Sequence, residues 1–284
     1  DILRFHTIYW PITLMALGEE VPQKIFGHGW LLVDGGKMSK SKGNVVDPVV
    51  LVEKYGVDAI RYFLLREVPF GSDGVYSEEA LVNRMNSDLA NDLGNLLSRT
   101  ITMIDKFFNG IVPDHKNVGD PLDANLIKLS EETSSKVEEL MDKLLFSSAL
   151  TEIWKLVGRA NKYIDETMPW ILARDEEKKE RLATVLYNLA EVLRIIGVMI
   201  SPYMPNTPAK MFQQLGVTDE ALKTWESIKN FGVLKAGTVV NKGEIIFPRV
   251  EFGPEDPEDV INAAPEEPKE DNHITIDDFA KIDF

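Results

Sequence analysis

From Ser77 to Leu215 one segment after another carries apolar residues at helical spacing, separated only by short polar turns. Met85, Leu89, Leu93, Leu96, Leu97, Ile101 and Ile104 make one such stripe. An apolar row on every third or fourth residue is buried only if the helix packs against a partner. Ser77 followed by Glu78 and Glu79 places a capping hydroxyl and two acids where a helix start favours them. Further amphipathic segments are predicted at about 121–146, 147–167, 175–200 and 203–215. Long helices joined by short connections close their faces against one another, so this part reads as an antiparallel bundle. The chain is therefore predicted to be mainly α.

Ahead of the bundle, residues 1–76 read as a partial α/β unit. A helix is followed by a strand in HGWLLVD, and Asp47-Pro48 reads as an N-cap with Pro at the first helical position. PVVLVEKYG should end at Gly56, and VDAIRYFLLREV before Pro69. The bundle is taken as residues 77–230. Residues 231–250, which contain GVLKAGTVVNKGEIIFPRV, lean towards β structure and should pack back on the body. Residues 251–273 are rich in Pro and acid and read as a disordered linker. Residues 274–284, beginning ITIDDF, turn patterned again.

Composition narrows the function classes. The 284 residues include no cysteine, which removes disulfides and thiolate metal sites, and four scattered histidines suggest no zinc site. No apolar run approaching the roughly 18–20 residues of a membrane span was found, nor a secretory pattern. A soluble, cytoplasmic protein is expected. The net charge of −15 argues against a nucleic-acid partner only superficially. From Glu251 to Phe284 twelve acids face two lysines, which leaves about −5 for the first 250 residues. The opening residues, Asp1 followed at once by ILRFHTIYWPI, begin in mid-pattern, so the chain is expected to be a piece of a longer protein.

One loop stands against the acidity: GGKMSKSKGNVV, Gly35 to Val46. Glycines let the backbone change shape, three lysines on long stems concentrate positive charge, and two serines add small donors. That composition suits a mobile anion clamp, and it equally suits a solvated surface turn. The string KMSKS, Lys37 to Ser41, resembles the signature loop of class I aminoacyl-tRNA synthetases. Upstream, Asp1, Phe5-His6 and Trp10-Pro11 are similar to the matching stretch of the methionyl-tRNA synthetase family, as is HGWLLVDGGKMSKS.

That resemblance implies the end of a Rossmann-type catalytic domain carrying the KMSKS loop, followed by an α-helical anticodon-binding domain. It implies that Lys37 and Lys40 are catalytic, that Lys37, Ser39, Lys40 and Leu31 contact ATP, and that His6 and Phe5 line the methionine pocket. Asn95 and Arg99 share a helix face at four-residue spacing, and Trp170 stands at a corner after Pro169. By themselves these residues also fit an exposed face, with Arg99 paired to Asp92 or Asp105, and a Trp that staples two helices. In the family a helix Asn and Arg of this spacing, with a Trp after Pro, recognise the CAU anticodon. Unstacked bases lie readily on aromatic faces and guanidinium planes.

The resemblance further implies methionine activation with ATP and Mg2+, then transfer to initiator and elongator tRNA(Met). The HIGH-motif half of the catalytic domain is expected to lie outside this chain, along with any zinc knuckle, so the fragment alone is expected to be inactive. Residues 274–284 resemble the entry strand of an OB-fold tRNA-binding module, which implies a homodimer through that module and no membrane. A stand-alone RNA-binding scaffold and another nucleotidyl-transferring enzyme are the alternatives. The FH…WP stretch argues against the first and the Asn-Arg-Trp set against the second.

Overall fold

The computed structural model describes residues 2–33, 36–38, 45–115 and 119–251. Residues 1–250 form one compact unit; of the second, 251–284, only Glu251 is described. The chain opens with a helical arm: α1 (Ile2–Arg4), a π-helical segment Phe5–Tyr9, and α2 (Trp10–Leu17), closed by Gly18 in the left-handed region. None of the arm's residues is buried. Three short strands follow: β1 (Leu31–Val33), β2 (Gly36–Lys37) and β3 (Gly74–Tyr76). They form a sheet of order β2-β1-β3, with β2 antiparallel and β3 parallel to β1. Gly29 permits the close passage beside β3, because a Cβ there would lie 2.2 Å from the Ser72 carbonyl. The Trp30 amide donates to Asp73 Oδ1 at 2.7 Å, and the Gly74 amide donates to the Trp30 carbonyl.

Between β2 and β3 run α3 (Pro48–Tyr55) and α4 (Val57–Glu67). Asp47 caps α3 as its sequence suggests, its side chain accepting from the Val49 amide. A continuous helical rod then comprises α5 (Glu78–Arg84), a π-helical stretch Met85–Gly94 and α6 (Asn95–Phe108). Ser77 is its cap, accepting from the Ala80 amide. The whole predicted stripe from Met85 to Ile104 is buried. The bundle continues with α7 (Pro121–Asp142), α8 (Phe146–Thr167), a single turn α9 (Pro169–Leu172), α10 (Lys179–Ile200) and α11 (Thr207–Leu215). The segment predicted at 121–146 stops at Asp142, where a turn places Leu144 at φ +60°.

Helix α10 is the axis of the bundle, with every residue from Leu182 to Ile200 buried. Within Glu176–Ile200 an 18-residue window of mean hydropathy 1.6 is long and apolar enough to cross a membrane, which corrects the expectation that no such run exists. The apolar window is entirely covered by the other helices. Its interior charges form a bidentate pair, with Arg194 Nε and Nη2 donating to Glu191 at 2.8 and 2.9 Å. Arg194 also donates to the carbonyls of Leu222 and Ser227, while Glu191 accepts from the Gly232 and Val233 amides. This satisfied pair ties the last segment onto the bundle.

That segment, 231–250, is not a strand. Among the described residues its β character is one isolated bridge, Ile111 to Val239. Its backbone groups find helix ends and side chains instead: the Asn241 amide reaches the Gln214 carbonyl, and Asn86 exchanges two hydrogen bonds with the backbone of Val250. Among the described residues its strand-like pairing is confined to Gly110–Val112, through three backbone hydrogen bonds, too short a match to extend as a strand.

Candidate nucleotide- and RNA-binding sites

The lysine loop lies largely outside the described residues, Ser39 and Lys40 among them. Lys37 is placed by its backbone in β2, opposite Leu32. Leu31 starts β1, opposite Gly74 of β3, and Met38 packs partly buried against the core. The helix after the loop is tied down: Lys54 and Tyr55 at the end of α3 both donate to Glu78 in the first turn of α5, Lys54 at 2.9 Å. Burial works to raise the Glu78 carboxyl, but the hydrogen bonds from Tyr55 and Lys54 outweigh it and its pKa falls. The same bond to Glu78 is the main reason the Lys54 pKa rises.

Phe5 and His6 lie together on the arm. His6 Nδ1 donates to the Ile2 carbonyl at 2.8 Å, and the Phe5 ring stands 5.2 Å from Tyr9. Both occupy the π-helical segment, and Phe5 is 57% exposed. Neither is buried.

Asn95 and Arg99 lie on α6, and Trp170 lies on the short α9 that follows α8. Asn95 is exposed, one turn before half-buried Arg99 on α6. Just upstream the Asp92 carbonyl accepts from Asn161 of α8, and Arg99 Nη2 donates to Asp165 of α8 at 3.2 Å. Asn95 thus sits between two anchors to the last turns of α8. That helix ends at Thr167; Met168 adopts φ +45° and turns the chain into α9, which presents Trp170 with 41% of its surface open. Asp165, five residues before Trp170, brings Arg99 to this corner.

Arg99 therefore pairs with neither Asp92 nor Asp105; Asp105 pairs instead with Lys242. Asp165 is 66 residues distant and no local spacing could reveal it. Its side chain is two-thirds exposed, so the pair contributes no more than about 1 kcal/mol and can exchange partners. Burial, and then the nearby Asp88 charge, raise the Asp92 carboxyl above its ordinary range.

Helical periodicity also missed the π-helical stretches. One holds Phe5 and His6; the other ends immediately before Asn95. Wider turns of this kind are frequent at functional sites. At Gly94 a Cβ would approach the Leu89 carbonyl to 3.0 Å, so the small residue fits the widened turn, a signal visible only in retrospect.

Two family models match the chain. That for class I tRNA synthetases of the methionine type covers residues 1–101, and that for the anticodon-binding domain of methionyl-tRNA ligase covers residues 112–259. The chain belongs to the methionyl-tRNA synthetase family. It is 64% identical to the methionine–tRNA ligase of Caldanaerobacter subterraneus subsp. tengcongensis and 59% identical to that of Clostridium tetani, over 99% and 100% of this chain. It spans 44% of the length of each of these relatives. The crystal structure of Mycobacterium tuberculosis methionyl-tRNA synthetase in complex with methionyl-adenylate superimposes with a TM-score of 0.82 at 43% identity, covering 88% of this chain and 48% of that one. Its apo form gives 0.80 at 40% identity, covering 89% and 49%. Family membership thus spans both the α/β piece and the bundle.

Proposed function

We propose that this chain is the C-terminal part of a methionine–tRNA ligase, supplying the KMSKS loop to methionine activation and the CAU anticodon platform to tRNA selection. The observation that carries this reading is the Arg99–Asp165 pair. It ties the helix carrying Asn95 and Arg99 to the end of α8, where the chain turns into the α9 that bears Trp170, on a bundle joined to the α/β piece by one long rod. The rod from Glu78, beside that piece, to Asn95 is on the order of 25 Å long. Chemistry at one end and base inspection at the other is the separation such an enzyme needs.

In the activation step the methionine carboxylate attacks the α-phosphate of ATP in line and pyrophosphate leaves. Such a transfer is accelerated by positioning and by charge set where it develops. Lys40, supported by Lys37 and Ser39, meets the β- and γ-phosphates; Leu31 borders the adenine; Phe5 and His6 face the methionine side chain, whose polarisable thioether suits an aromatic neighbour. The terminal ribose hydroxyl of tRNA(Met), initiator or elongator, then attacks the adenylate. At the far corner Trp170 stacks on an unpaired base, Arg99 offers its planar donor fork, and Asn95 offers both a donor and an acceptor.

Among the described residues no group of three or more His, Asp or Glu side chains is placed to hold a metal ion. Magnesium enters with ATP as part of the substrate. Zinc, the HIGH motif and dimerisation are assigned to the part of a relative-length protein that this chain does not span. A cytoplasmic location accompanies this role.

The open apolar side of the arm supports the same reading. Leu3, Phe5, Ile8, Trp10, Ile12, Met15 and Leu17 are all exposed, and apolar surface of this extent marks a contact site. The test uses the relative-length enzyme. Lys40→Ala is expected to slow methionine-dependent pyrophosphate exchange by about 10²–10³-fold, the cost of removing one donor aimed at developing charge, with methionine affinity little changed. Trp170→Ala is expected to weaken tRNA charging and leave exchange intact. Exchange at the parental rate in the first variant, or loss of both activities in the second, would contradict the assignments.

A further inference from the structure

Two residues of α4 that no motif marks grip the bundle at a single turn. Asp58 is buried, and it accepts from the Thr207 amide at 2.5 Å, the Thr207 hydroxyl at 2.6 Å, and both the amide and side chain of Asn206. These donors open α11, whose own N-cap residue, Asn206, makes no capping bond. Asp58 is therefore a cap supplied from a different helix. One turn further along α4, Arg61 Nε and Nη2 donate at 2.8 Å to the carbonyls of Tyr203 and Pro202, just past the end of α10.

A carboxylate thus stands at the positive end of one helix and a guanidinium at the negative end of the preceding one, each where the helix dipole favours it. The two lie three residues apart on one face of α4. Other contacts cross the same seam. Phe70 stacks on Phe26 and lies 5.0 Å from Phe146 at the start of α8, and Tyr62 meets Trp154 at 4.5 Å. The apolar burial at these rings is non-directional, whereas hydrogen bonds weaken steeply as their angle opens. Tyr62 on α4 also donates to Asp88 at 2.6 Å, but only the Asp58 and Arg61 bonds bear on the α10–α11 turn, and they hold the angle between it and α4. Helix α10 begins beside the corner that carries Trp170, so its inclination sets where the platform stands relative to the α/β piece.

We propose that Asp58 and Arg61 are positioning residues for tRNA charging: they lock the α/β piece and the anticodon platform at the separation and tilt that one tRNA molecule must bridge. The inference rests on the ligase reading and adds a role for residues that touch neither substrate. Its consequence is selective. A short RNA hairpin carrying only the anticodon arm needs the platform alone, and adenylate formation needs the catalytic end alone. Only a whole tRNA has to reach both.

The experiment compares the relative-length enzyme with its Asp58→Asn, Arg61→Gln, Arg61→Lys and Thr207→Val variants. It measures pyrophosphate exchange, anticodon-hairpin affinity and kcat/KM for whole tRNA(Met). Asp58→Asn and Arg61→Gln are expected to lower kcat/KM for tRNA by about tenfold to a hundredfold, the scale of an ångström-sized misplacement. Exchange and hairpin affinity are expected to stay within about twofold. Arg61→Lys, still able to donate to one carbonyl, should fall between Arg61→Gln and the parent. Thr207→Val, which keeps the amide bond to Asp58, should be the mildest. Charging at the parental rate in Asp58→Asn and Arg61→Gln overturns the proposal. So does a parallel fall in exchange and hairpin binding, which would mark these residues as supports of the fold. A parent that charges no tRNA would overturn the ligase reading itself, and with it this inference.

Discussion

The α/β piece and the helical bundle are both rich in apolar residues, and they bury them very differently. Helix α10 is covered on every side, whereas the arm Ile2–Leu17 buries nothing. The bundle supplies its own core. The α/β piece is held to it by directional ties, Asp58 and Arg61 on the α10–α11 turn and Glu78 under Lys54 and Tyr55, and leaves a broad apolar surface open. A folding unit and a working surface are thus separate properties of one chain.

The sharpest break of this contrast is within α10. Arg194→Met would leave the Glu191 carboxylate in the core with only the Gly232 and Val233 amides, and is expected to cost about 3–5 kcal/mol in a denaturant titration. Leu193→Ala follows, at about 2–5 kcal/mol for a wholly buried leucine. Leu17→Ala on the arm, 70% exposed, should change the stability of this chain by no more than about 0.5 kcal/mol. A cost comparable to that of Leu193→Ala would erase the distinction. In a relative-length enzyme the Leu17 substitution is expected to become costly, because the arm is then covered.

The polar tie at Glu78 gives a smaller, pH-dependent effect. Its folded pKa lies below the ordinary value of 4.5, so its contribution to stability is fully present above that value and is lost as the pH falls through the lowered one. The difference in Tm between the parent and Glu78→Gln should be largest near neutrality and shrink in acid. A difference independent of pH would show that the carboxylate charge is irrelevant. Smallest of all is Asp92. With its folded pKa raised, its favourable contribution exists only in acid and is lost as the pH rises through that value, so at neutrality the ionised group opposes folding. Asp92→Asn is expected to raise Tm slightly at neutral pH, and a fall would contradict that sign.

The helices were legible because their signals are local. Asp47 and Ser77 cap as their sequence context suggests, and the stripe from Met85 to Ile104 is buried throughout. The segment 231–250 misled because valine and isoleucine favour strands only when a partner strand is at hand, and here the bundle surface takes its place. The Asn95–Arg99 pair could be read from four-residue spacing. Asp165 beside Arg99, and the grip of Asp58 on Asn206 and Thr207, depend on distant segments meeting. The π-helical turns were invisible because apolar spacing barely changes when a helix widens locally.

The central claim, that a distant corner of the bundle reads an anticodon, is tested most directly by titrating a CAU-loop RNA hairpin against the same hairpin with the loop bases permuted. The account predicts preferential binding of the CAU loop, and a loss of that preference in Trp170→Ala of about 1–3 kcal/mol, the worth of one base stacked on an aromatic ring. Equal affinity for the two hairpins in the parent, or an unchanged preference in Trp170→Ala, would contradict it.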